Sequence, residues 1–156
     1  MRLCSLHKGG FTRRKSIVWV ILIAATAIIW SNSFRGPADS AKMSGWVLEL
    51  YESLFGPWPF PFGIRKAAHA VEFSVLGLLA GILLMDAVKL NWRHAENALL
   101  GGMLVSLIDE SIQIVSNRGS QVQDILLDLA AYLIACSALT FPHRLLLRAR
   151  TNKWDH

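Results

Sequence analysis

Residues 67–88 read AAHAVEFSVLGLLAGILLMDAV. This run is long enough and apolar enough to cross a bilayer as a helix, which takes about 20 largely apolar residues. It also carries His69 and Glu72 near one end, three residues apart and on neighbouring positions of one helix face. Three other stretches share its character, at about 16–34, 98–115 and 122–141. The expected fold is therefore all-α, an integral-membrane four-helix bundle.

Composition supports that class. Hydrophobic residues make up 53% of the 156-residue chain and charged residues only 17%. A soluble domain carries about 25% charged residues. The formal net charge is +5. No basic stripe follows any periodic segment, so the excess does not point to nucleic acid. It sits instead at the ends of apolar runs, where it faces anionic headgroups. Cys4 and Cys136 fit neither a metal spacing nor a disulfide.

Lysine and arginine placement predicts orientation. Arg2, Lys8, Arg13, Arg14, Lys15, Lys89, Arg93, Arg144, Arg148, Arg150 and Lys153 fall on one side, and Arg35, Lys42, Arg65, Lys66 and Arg118 on the other. Both termini are expected in the cytoplasm. The expected division is a cytoplasmic basic tail over 1–15, a transmembrane domain over 16–141 and a second cytoplasmic tail over 142–156. Basic residues before a short apolar core also allow the first helix to be read as a cleaved signal; a retained helix is the preferred reading.

The first external loop is expected to hold an amphipathic helix starting near Ala41, capped by Asp39 or Ser40. Met43, Val47, Leu50 and Leu54 fall on one face of it, suited to a membrane surface. The proline-rich stretch 56–63 that follows precludes a regular helix. The segment 142–150 reads as a short interfacial helix with arginines facing lipid.

The informative residues are polar ones placed within apolar runs. Asp109, Glu110 and Gln113 lie in the outer half of the third run, and Asp124 and Asp128 near the outer start of the fourth. Gly77 and Gly81 form a GxxxG pair, while Gly102, Ser106, Asp109 and Gln113 share a face, as do Asp124, Asp128, Ala131 and Ala135. Small residues allow close helix approach, so these faces are expected to point inward. At about 1.5 Å per residue, Glu72, Asp109 and Asp128 fall in one layer below the outer surface.

Ionisable groups at that depth are costly and are candidates for function. Three arrangements reconcile the carboxylates: protonation of some, pairing with Lys66, His69 and Arg118, or a divalent cation. Oxygen ligands alone suit magnesium, calcium or manganese, and adding His69 admits zinc or iron. A polar network that only sets helix register is the structural alternative.

The joint pattern resembles the VanZ-like family. The stretch 66–77, KAAHAVEFSVLG, looks like its first signature; 106–113, SLIDESIQ, looks like its second; and Arg118, Asp124 and Asp128 look like its third. The serine-rich stretch 31–37, with Ser40 and Ser44 after it, fits the family's opening loop. The resemblance spans about residues 16–140. Asp128 stands where the family usually carries asparagine, and Ala131 where glycine is common. The resemblance implies a bacterial inner-membrane protein of the cell envelope, consistent with both termini in the cytoplasm; the family takes its name from a member linked to low-level teicoplanin resistance.

Three functions fit these residues. The first is an envelope factor that binds or modifies a lipid-linked or surface glycan. In a catalytic version Asp109 or Glu110 acts as base, His69 as acid or metal ligand, and Glu72 belongs to the same group, with Lys66, Gln113, Arg118, Asp124 and Asp128 binding the ligand or completing the network. The second is a non-enzymatic membrane scaffold, possible as a homo-oligomer, motivated by the GxxxG pair. The third is a proton- or cation-coupled carrier, disfavoured by four helices without a repeat. Ser111 follows Glu110, but a serine there is expected to bond its own helix backbone.

Overall fold

A computed structural model describes residues 3–60, 63–85, 92–119 and 121–152, with side chains over 13–60, 63–85, 92–119 and 121–146. Pro61, Phe62, Lys89, Arg2 and Lys153 lie outside the described residues, as do the side chains of Cys4, Lys8, Arg148 and Arg150.

Five helices follow in order: α1 (Leu3–Ser33), α2 (Pro37–Phe55), α3 (Ile64–Met85), α4 (Trp92–Val115) and α5 (Val122–Asn152). No strand occurs among the described residues. All but α2 contain segments long and apolar enough to span a membrane: Arg13–Ser33, Ile64–Met85, Trp92–Val115 and Val122–Leu146. The fourfold bundle expected from hydropathy is present.

The surface is inverted relative to a soluble protein. Val20, Ile28, Val71, Leu104, Leu126 and Ile134 are exposed, which suits hydrocarbon rather than water. The buried apolar cluster is small: Ile29, Phe73, Leu76, Ala80, Tyr132 and Cys136. Helix contact here depends on close approach and interhelical polar bonds more than on apolar burial.

The most extensive packing joins α3 to α5, and the glycines explain it. A methyl group at Gly77 would collide with the Tyr132 backbone carbonyl, and one at Gly81 would press on the Cys136 carbonyl. The GxxxG pair is therefore spent inside the bundle. The Tyr132 ring lies against Gly102 of α4, and its hydroxyl donates to the Ala98 carbonyl at 2.8 Å. The Trp30 indole of α1 donates to the Val105 carbonyl at 3.3 Å.

Several boundaries differ from those read in the sequence, α1 beginning at Leu3, within the stretch expected as a tail, and α3 at Ile64. Helix α2 begins at Pro37, with Gly36 in extended backbone as its N-cap and no side-chain cap bond. Proline favours the first helical position because its missing N–H has no intrahelical partner there. Ser40 is thus not a cap but a buried side chain within α2. Helix α4 begins at Trp92, six residues before Ala98. Helix α5 runs without a break through Pro142, so 142–150 forms no separate interfacial helix; a proline removes one backbone bond, and the turns on either side carry the axis through.

Candidate functional site

The polar residues converge at one end of the bundle, where α1 ends, α2 and α3 begin, α4 ends and α5 begins. Asp109 (0% exposed), Gln113 (1%), Asp128 (1%) and Glu110 (3%) are interior, so the acidic faces do point inward. Each carboxylate in this layer is tied to a different helix or to a neighbour on its own.

The Ser33 hydroxyl donates to Asp109 Oδ1 at 2.6 Å. Gln113 Nε2 donates to Asp109 Oδ2 at 2.8 Å and to Glu110 Oε1 at 3.2 Å. Ser106 donates to Asp128 Oδ2 at 3.1 Å. Asn32 donates its amide to Glu72 Oε1 at 3.1 Å. His69 Nδ1 lies 3.7 Å from Asp109 Oδ2 and 3.8 Å from Glu72 Oε2, within ion-pair range when the ring is protonated. Lys66 Nζ meets Asp124 Oδ1 at 2.6 Å across α3 and α5. That pair is partly solvated, so its geometry locates the two helix ends more than it stabilises them.

Arg118 takes a role that sequence reasoning did not assign. Its two terminal nitrogens donate to the Asn32 carbonyl at 2.8 Å and to the Ser40 hydroxyl at 2.7 Å. One guanidinium thereby joins the end of α1 to the first turns of α2. The turn that aims it is specific: Asn117 sits at φ 53° and Gly119 at φ 69°, conformations that Asn and Gly tolerate best. Burial pushes the Arg118 guanidinium below its ordinary value, Arg65 pushes the same way, and Asp109, Glu72 and Glu110 oppose them.

Asn32, Ser33 and Ser40 also belong to this layer. In sequence they look like a polar helix end and a capping turn, and the pointer to them is the match of 31–37 and Ser40 to the family's opening loop. Ser111 donates to the Leu107 carbonyl at 2.7 Å, so it bonds backbone as expected.

Beside the buried layer lies a narrow groove of about 80 Å³ between α1, α2 and α3. Asn32, Arg35, Ser40, Arg65, His69, Glu72 and Arg118 supply its polar lining. A larger cleft of about 610 Å³ lies toward the other end, near Lys15 and His94, with a mainly apolar wall including Trp19, Leu76 and Val105. The wall of the larger cleft suits hydrocarbon, whereas His69, Glu72 and three arginines line the smaller groove beside the buried carboxylates.

The fold and site define a multi-pass helical membrane protein with a buried polar layer at one end. The family model described as VanZ/LLP1 matches residues 18–143, and the chain belongs to that family. No curated protein and no solved structure matches it significantly.

Proposed function

We propose that this protein is a cell-envelope factor of the bacterial cytoplasmic membrane that binds the anionic head group of a lipid-linked or surface glycan. The carrying observation is the groove itself, which sets Arg35, Arg65 and Arg118 beside His69 and Glu72. Guanidinium groups favour phosphate oxygens through charge-assisted, often bidentate hydrogen bonds. With both termini in the cytoplasm, as the lysine and arginine distribution implies, the groove opens on the outer face.

The arrangement also supports a proton-transfer role. His69 borders the groove and lies against Asp109 and Glu72. A histidine flanked by carboxylates is suited to general acid–base work. Asp109 and Glu110 are interior and do not border the groove. In this reading they act through His69 and Gln113 rather than by touching the ligand.

The test is teicoplanin susceptibility in a susceptible Gram-positive host expressing the wild type, His69→Gln or Glu110→Gln at matched membrane abundance. Protection by the wild type and its loss in both variants is the expected outcome. Equal protection by all three removes the polar layer from the function. No protection by the wild type separates this chain from the family's phenotype.

A further inference from the structure

The polar layer contains a donor set in which two of three members have an unpartnered buried atom. One ring nitrogen of His69 and one carboxylate oxygen each from Asp109 and Asp128 lie within 4.8 Å of one another. They come from α3, α4 and α5, so only the packed bundle assembles them. Within the layer, Asp128 Oδ1 and His69 Nδ1 are buried and have no hydrogen-bond partner. Asp128 as a whole is 1% exposed, so bulk solvent does not reach that oxygen.

The carboxylates are held from outside the set, Asp109 Oδ2 keeping a second lone pair beside the Gln113 bond. Ser106 binds Asp128 Oδ2 and Ser33 binds Asp109 Oδ1. Hydroxyls that fix one oxygen of a carboxylate orient the other, an arrangement typical of the groups surrounding a metal ligand.

We propose that His69, Asp109 and Asp128 bind one divalent transition ion of the zinc class. Two carboxylates and one imidazole offer two negative charges and three donors, matching a doubly charged ion. The mixed nitrogen and oxygen set favours zinc, manganese or iron over calcium and magnesium, which prefer oxygen alone. No thiolate or thioether joins the set, which disfavours copper(I). Zinc bonds of about 2.0–2.2 Å place donors roughly 3–3.5 Å apart, so side chains within 4.8 Å of one another would close by up to roughly 1–2 Å on the ion. Three protein ligands would leave a coordination position for water or a ligand oxygen, and one of them, His69, borders the groove.

The inference is independent of the glycan reading, because ion binding is measured without any glycan. The full-length chain is purified in detergent, stripped with chelator and titrated with Zn²⁺, using Co²⁺ absorption to report the ligand field. Retained zinc is counted by mass spectrometry, and thermal unfolding is followed in parallel. About one zinc per chain is expected for the wild type and for Glu49→Gln, an exposed carboxylate of α2 outside the layer, with affinity weakened roughly tenfold or more in His69→Gln and in Asp128→Asn. A wild type that retains no zinc and gives no Co²⁺ spectrum overturns the proposal, whatever the variants do. So does unchanged affinity in both ligand variants. A wild type without an ion would leave His69 as an ion-pair partner of Asp109 and Glu72.

Discussion

The hydroxyl of Ser33 donates to Asp109 Oδ1 at 2.6 Å, joining the last residue of α1 to the interior of α4 across 76 positions of sequence. Neither group reaches solvent, so the bond holds a carboxylate that water cannot. Ser33→Ala is expected to lower stability in detergent by about 1 kcal/mol, in the range of interhelical bonds in membranes. Ser111→Ala removes only an exposed bond within α4 and is expected to stay within about 0.5 kcal/mol of the wild type. Thermal unfolding of the two variants side by side checks both; equal midpoints would show that the Ser33 bond contributes no net stability.

Gly77 marks the closest approach of α3 and α5. A Cβ there meets the Tyr132 backbone carbonyl, which cannot swing aside as a side chain does. Gly77→Ala is expected to cost about 1–3 kcal/mol through forced separation of the two helices. Gly101 is the control, since nothing lies within 4 Å of the position a Cβ would take. Gly101→Ala is expected to be neutral or to gain up to about 1 kcal/mol from helix propensity. The comparison is read from membrane abundance and unfolding midpoints. A tolerated Gly77→Ala would mean that the axes separate without cost.

Orientation is testable with a single new thiol. Ser53 lies exposed near the end of α2. In a Cys4→Ser background, Ser53→Cys is expected to react with a membrane-impermeant maleimide on intact cells. Native Cys4 is expected to react only after permeabilisation, while Cys136, buried against the core, stays unlabelled in both. The opposite labelling pattern would invert the bundle and place the groove on the cytoplasmic side.

The architecture was largely legible because the bilayer constrains it so strongly. Every spanning backbone group must bond internally, so apolar runs of sufficient length read as helices. The faces of the third and fourth runs were legible for a related reason. Asp109, Gln113 and Asp128 are too costly to turn toward lipid, so their spacing among small residues pointed them inward, where they lie.

Partner choice was not legible. Sequence alone placed Arg118 near the carboxylates as opposing charge, but its nitrogens reach the Asn32 carbonyl and the Ser40 hydroxyl. Nothing in the local sequence specifies contacts across 86 and 78 positions. The GxxxG pair read equally well as an interface between chains until Tyr132 and Cys136 were seen against it. The segment from Pro142 read as a separate interfacial helix, yet α5 passes through Pro142.

The sequence by itself determined how many helices span the membrane and which of their faces are polar, because both follow from the cost of exposing polar groups to hydrocarbon. Only the tertiary structure decided that His69, Asp109 and Asp128 share one small volume, that Ser33 and Ser106 orient the carboxylates, and that Arg118 joins α1 to α2. Those relations depend on the relative rotation and depth of separate helices, which close packing at Gly77, Gly81 and Gly102 fixes.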